Sequence, residues 1–145
     1  MKDGRCLVLY IDDDNDALFA IRTVLEANGY AMAEASSAEE GLRIYKELNP
    51  DFIIVDLMME EVDSGTSFAK ELKALGNKAP VYMLSSVGDD LSTSTDSVAL
   101  GLEGVFQKPL KAATLLGVLK TRLMAQRERE ASPATTTSPA ASARR

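Results

Sequence analysis

Histidine is absent from all 145 residues. The chain therefore cannot carry a phosphohistidine donor, run imidazole acid–base catalysis or build a His-ligated zinc site. Cysteine occurs once, as Cys6, which excludes an internal disulfide; at the head of an apolar run it reads as a small core residue. No uninterrupted apolar stretch approaches the ~20 residues that cross a bilayer. Met1-Lys2-Asp3-Gly4-Arg5 lacks the apolar segment of a secretory signal, so a cytoplasmic location without membrane insertion is expected. Basic charge is scarce as well, with 16 Lys and Arg against 22 Asp and Glu for a net charge of −6. Arg127, Arg129, Arg144 and Arg145 oppose only Glu128 and Glu130 after residue 124, leaving the preceding body more acidic than the whole chain. Such a body does not supply the clustered cations that displace counterions from nucleic acid.

What is present is a regular alternation of two patterns. Short apolar runs, Cys6–Ile11, Tyr30–Ala35, Phe52–Asp56, Val81–Leu84 and Gly104–Gln107, are rich in β-branched or bulky residues and predict strands. Between them lie stretches with helical apolar spacing: positions 17, 18, 21, 24 and 25, closed by Asn28-Gly29, and Leu42, Ile44, Tyr45 and Leu48, opened by Ser37-Ala38-Glu39-Glu40 and stopped by Asn49-Pro50. Those ends are ordinary capping chemistry. Phe68, Leu72 and Leu75 mark a third helix after an acidic loop, Glu60–Gly65. Asp89–Leu100, polar and Ser/Thr-rich, is the weakest helix, and Leu110–Met124 closes the series. Five strands alternating with helices predict an α/β domain with one doubly wound parallel sheet, helices covering both faces. The domain is expected to span residues 1–124. Residues 125–145 form a basic and then Ser/Pro/Ala/Thr-rich tail, expected to be disordered from about Ala131.

The chemistry gathers where the strands end. A buried strand closes on Asp56, the first ends in Asp12-Asp13, the fourth in Ser85 and the fifth in Lys108. Parallel strands deliver their carboxyl ends to one edge, where ligands of open α/β sheets bind. Singly, each residue has an ordinary explanation as a cap, a turn residue or a solvated surface group. Asp14 and Asp16 are read that way, as helix N-terminal acids that complement the dipole. Together, three carboxylates at one edge repel one another unless a hard cation neutralises them. Mg²⁺, or Mn²⁺, suits carboxylates plus water and phosphate oxygens. A lysine and a hydroxyl beside that cation are what a transferring phosphoryl group requires.

In this order and spacing the residues resemble the receiver domain of two-component response regulators, over about Arg5 to Leu123. The resemblance implies the flavodoxin-like strand order 2-1-3-4-5 and a phosphoacceptor at Asp56, whose carboxylate attacks a phosphohistidine. It implies that Asp13 binds the metal directly, Asp12 partly through water, and Met58 through its backbone carbonyl. Ser85 and Lys108 would hold phosphoryl oxygens, and the Lys108–Pro109 peptide would be cis. The implied partners are a sensor histidine kinase or histidine phosphotransfer protein and a further protein downstream, with homodimerisation a possible output.

Two departures from the family pattern stand out. Glu60 replaces the usual proline in a longer loop. Val105 replaces the usual aromatic three residues before the lysine, with Phe106 next door and, by strand alternation, on the opposite face. Met58 and Val87, two positions beyond Asp56 and Ser85, are apolar and cannot orient a hydrolytic water, so slow loss of the phosphoryl group is expected. The expected role is a stand-alone receiver that is not an enzyme toward external substrates. A haloacid-dehalogenase-like phosphatase shares the Asp-x-Asp of Asp12-Asp13-Asp14, but that family needs an acid pair beyond the lysine. Here only Glu128 and Glu130 follow Lys108. Service as a phosphate sink is the other alternative.

Overall fold

A computed structural model describes residues 5–56, 64–85 and 101–131. In chain order the elements are β1 (Leu7–Ile11), α1 (Asn15–Ala27), β2 (Ala31–Ala35), α2 (Ala38–Leu48), β3 (Phe52–Asp56), α3 (Ser64–Ala74), β4 (Val81–Ser85), β5 (Gly104–Gln107) and α4 (Ala112–Ala131). All five strands pair in parallel in the order β2-β1-β3-β4-β5. The central strands β1, β3 and β4 are buried at every residue, which is why their sequences read as unbroken apolar runs and do not alternate. Cys6 lies just before β1 and is half-buried, outside the fully packed core expected for it.

The chain divides into two compact units, Met1–Ala112 and Ala113–Arg145. The first contains the whole sheet with α1, α2 and α3. On one face of the sheet, Leu9, Ile11, Ile53, Val55, Val81 and Met83 pack with Phe68, Ala69 and Leu72 of α3, and Leu42 and Tyr45 of α2 close over them. Burial raises the Tyr45 hydroxyl above the ordinary tyrosine range. The alternate residues point the other way, where Ala17 and Ile21 of α1 lie with Tyr10 and Leu84 around a cavity of about 420 Å³.

The helix ends follow the chemistry of their residues. Asp14 caps α1, its Oδ1 accepting from the N–H groups of Asp16 and Ala17. Ser37 caps α2 by accepting from Glu40 N–H, while Glu40 reaches back to Ser36 N–H, the reciprocal pairing of a capping box shifted by one residue. Gly29 takes a positive φ of 86° after α1, a conformation in which glycine has no Cβ to clash. Strand boundaries shift by one residue from the sequence reading at Leu7, Ala31 and Ser85, and helix boundaries differ as well. α3 starts at Ser64, inside the loop expected to run to Gly65. α4 starts at Ala112, the last residue of the first unit, and runs on to Ala131, past the end expected at Met124. Ala, Gln, Arg and Glu are strong helix formers, and neither Gly nor Pro occurs between Met124 and Pro133. The expected helix over 89–100, residues 60–63 of the acidic loop and the tail from residue 132 lie outside the described residues.

Candidate functional site

Each side chain is brought to the sheet edge by the ladder that precedes it. Asp12 N–H donates to the carbonyl of Ala35 at 3.0 Å, so β1 keeps its pairing with β2 for one residue more and holds Asp12 in place. Asp56 is the last residue of β3 and faces Leu84 in register. Ser85, one residue on, ends β4 and is buried. Its carbonyl accepts the N–H of Lys108 at 2.7 Å and the side-chain amide of Gln107 at 3.3 Å. The bond from Lys108 anchors the lysine backbone beside the end of β4. The Lys108–Pro109 peptide is cis.

Asp12, Asp13 and Asp56 converge, with one carboxylate oxygen from each lying within 4.8 Å of the others. Asp12 and Asp56 are almost fully buried at 1% and 2% exposure, while Asp13 is exposed. Lys108 Nζ donates to Asp56 Oδ2 at 3.0 Å. One ammonium beside three carboxylates leaves a negative edge in a partly desolvated setting, where like charges disfavour one another. An all-oxygen donor set of this kind fits a hard divalent cation such as Mg²⁺. Asp14 and Asp16 stay outside this group at the N-terminus of α1, Asp14 as its cap and Asp16 as an acid in its first turn, as expected of helix N-terminal acids. Met58 lies outside the described residues, as do Ser86 and Val87.

Tyr10 is a participant that the sequence reading left in the core. Its hydroxyl donates to Asp12 Oδ2 at 2.6 Å, and the N–H of Asp14 donates to Asp12 Oδ1 at 3.0 Å. Burial first, then the bond to Asp12 and the charges of Asp12, Asp56 and Asp14, raise the phenol far above the ordinary tyrosine range. It is therefore a protonated donor at any physiological pH. The available signal was the i, i+2 spacing of Tyr10 and Asp12, which puts both on one face of the extended chain.

The β5 departure resolves as alternation dictates. Val105 is 41% exposed, whereas Phe106 is buried and stacks on Tyr82 at 4.8 Å between centroids. Tyr82 in turn stacks on Phe52 at 5.2 Å. Phe106 is thus committed to a row of three rings and does not occupy the place of the missing aromatic.

Comparison with known proteins returns one consistent result. The chain matches the model of the response regulator receiver domain over residues 8–120. Transcriptional regulatory protein PrrA of Mycobacterium tuberculosis is 34% identical over 131 residues, which cover 90% of this chain and 54% of PrrA. The chain thus spans about half the length of that relative. Chemotaxis protein CheY of Bacillus subtilis is 30% identical over 117 residues, covering 80% of this chain and 96% of CheY. A crystal structure of a response regulator receiver domain protein from Clostridium thermocellum aligns with a TM-score of 0.75 at 29% identity, covering 84% of this chain and 97% of that one. The haloacid-dehalogenase-like alternative gains no support from these matches.

Proposed function

This chain belongs to the response regulator receiver domain family, and from that premise we propose that it takes up a phosphoryl group on Asp56 within a phosphorelay. The donor is a phosphohistidine on a sensor histidine kinase or a histidine phosphotransfer protein. A carboxylate oxygen of Asp56 forms the new O–P bond as the N–P bond of the donor breaks, and the imidazole leaves with the electron pair and takes a proton. The reading rests above all on the Lys108 ammonium 3.0 Å from the Asp56 carboxylate, beside two further carboxylates. That ammonium can follow the negative charge as it spreads onto the phosphoryl oxygens. The Ser85 hydroxyl, at the neighbouring strand end, donates to one of them. Removing a single donor of this kind typically costs a factor of about 10²–10³ in rate.

Asp12, Asp13 and Asp56, with the carbonyl of Met58, would hold Mg²⁺ or Mn²⁺, which when bound offsets the charge of the incoming phosphoryl group. The protein is not an enzyme toward free phosphate esters. It promotes only the formation and hydrolysis of its own acyl phosphate, and it passes the signal on through phosphorylation-dependent protein contacts, a homodimer among them. A histidine-kinase donor places this work in the cytoplasm. The test is chemical trapping. After incubation with acetyl phosphate and Mg²⁺, borohydride reduction should convert the acyl phosphate to homoserine at position 56, read by peptide mass spectrometry. Homoserine at position 12 or 13 instead, or phosphate stable to reduction, overturns the assignment.

A further inference from the structure

Tyr10 is buried at the site edge, yet the phosphoryl transfer just described makes no use of it. We propose that Tyr10 is a positioning residue that locks the Asp12 carboxylate in the orientation a bound divalent cation requires. The inference rests on the reading of Asp12, Asp13 and Asp56 as a cation site.

The 2.6 Å bond from the Tyr10 hydroxyl to Asp12 Oδ2 lies in the short range of charge-assisted O–H···O⁻ bonds. On the other oxygen, Asp14 N–H is fixed by the turn that opens α1. With one donor on each oxygen the carboxylate cannot rotate freely about its Cβ–Cγ bond, and each oxygen keeps lone-pair capacity for a cation or its water. Tyr10 and Asp12 are each 1% exposed, so the bond is largely withdrawn from solvent. Asp13 is exposed, which makes the adjacent acids unlike: one is oriented before the metal arrives, and the other can adjust to it. Outer-shell partners that orient a metal ligand typically account for 10–100-fold in affinity.

Tyr10→Phe removes the donor and leaves the ring in place. Because Tyr10 and Asp12 both line the cavity of about 420 Å³, water can reach the vacated position. Water needs polar partners to stay there, and Asp12 supplies one. The fold is therefore expected to survive, with a fixed donor exchanged for a mobile one.

The experiment is a Mn²⁺ titration of the full chain, following the electron paramagnetic resonance of the free aqua ion, with Mg²⁺ as competitor. Tyr10→Phe should weaken both ions about tenfold. In an Asp12→Ala background the same change should have no effect, because the group that Tyr10 orients is gone. A merely structural role would weaken binding in both backgrounds, and that result, or equal affinities of wild type and Tyr10→Phe, overturns the proposal. Failure of the wild type to bind Mn²⁺ at all would be a different failure, removing the cation site itself and this role with it. If Tyr10→Phe does not fold, the wild type still decides the matter. The hydrogen-bonded hydroxyl proton of Tyr10 should shift in NMR in step with Mg²⁺ occupancy and stay fixed in Asp13→Ala. A resonance unmoved at saturating Mg²⁺ overturns the proposal equally.

Discussion

Three consecutive aspartates follow β1, and each meets a different environment. Asp12 is buried and held at both oxygens, Asp13 is exposed beside Asp12 and Asp56, and Asp14 turns to the N-terminus of α1. The division has a consequence for stability. Without a cation the Asp12–Asp13–Asp56 repulsion is relieved only in part by Lys108. A cation that binds the folded state alone should raise the melting temperature as its concentration passes its dissociation constant. Millimolar Mg²⁺ is therefore expected to stabilise the wild type, and Asp13→Ala should lose that response while gaining stability in metal-free buffer. Differential scanning calorimetry with and without Mg²⁺ checks both signs. A response undiminished in Asp13→Ala would remove Asp13 from the site. The sequence set Asp14 and Asp16 aside as acids at a helix N-terminus, while the start of α1 at Asn15, with Asp14 as its cap, comes from the structure. Sequence alone did not reveal Tyr10, since a tyrosine inside an apolar strand has the same pattern whether its hydroxyl meets a ligand or merely a core acceptor.

Among the elements, α2 packs closely against β1 near the site. A Cβ placed on Gly41 would lie 2.7 Å from Ile11 Cδ1, 2.9 Å from Ile11 Cγ1 and 3.4 Å from Phe68 Cε1. Ile11 is completely buried and cannot swing into solvent, so relief has to come from repacking its side chain within the core or from moving α2 or β1. Alanine's better helix propensity is worth up to about 1 kcal/mol, and overpacking a filled core costs about 1–3 kcal/mol. Gly41→Ala is therefore expected to lower stability on balance, seen as a reduced urea midpoint at unchanged slope. A higher midpoint would mean that the α2–β1 contact is looser than these distances indicate. Because Ile11 directly precedes Asp12, the same substitution should also weaken Mg²⁺ binding. Arg22 ties α1 to β2 in a gentler way, donating to Glu34, Glu26 and the carbonyl of Met32. The bond to Glu34 chiefly raises its pKa. Its side chain is about one-third exposed, so solvent screening keeps each ion pair to a fraction of a kcal/mol.

At the scale of the whole molecule, much of the architecture was legible because parallel strands buried on both faces must be apolar throughout. Phe52–Val55 and Val81–Leu84 could not be satisfied at an edge, and Asp56 could end its strand only where solvent or a ligand meets the sheet. The order of the strands was not legible from periodicity, which says which residues are buried and not beside which neighbour; it came from the family resemblance. Helix ends were misjudged where propensity alone decides them, as at Ala131. The exposure of Val105 on β5 follows from Phe106 taking the inward place. All of this converges on one carboxylate, and its chemistry can be asked directly. Wild type and Asp56→Asn would be incubated with acetyl phosphate and Mg²⁺ and followed by intact mass. The amide is isosteric and non-nucleophilic, so the wild type should gain one phosphoryl mass that chelation of Mg²⁺ prevents, and Asp56→Asn should gain none while keeping its circular dichroism. A folded Asp56→Asn protein that is phosphorylated as fully as the wild type would contradict the account.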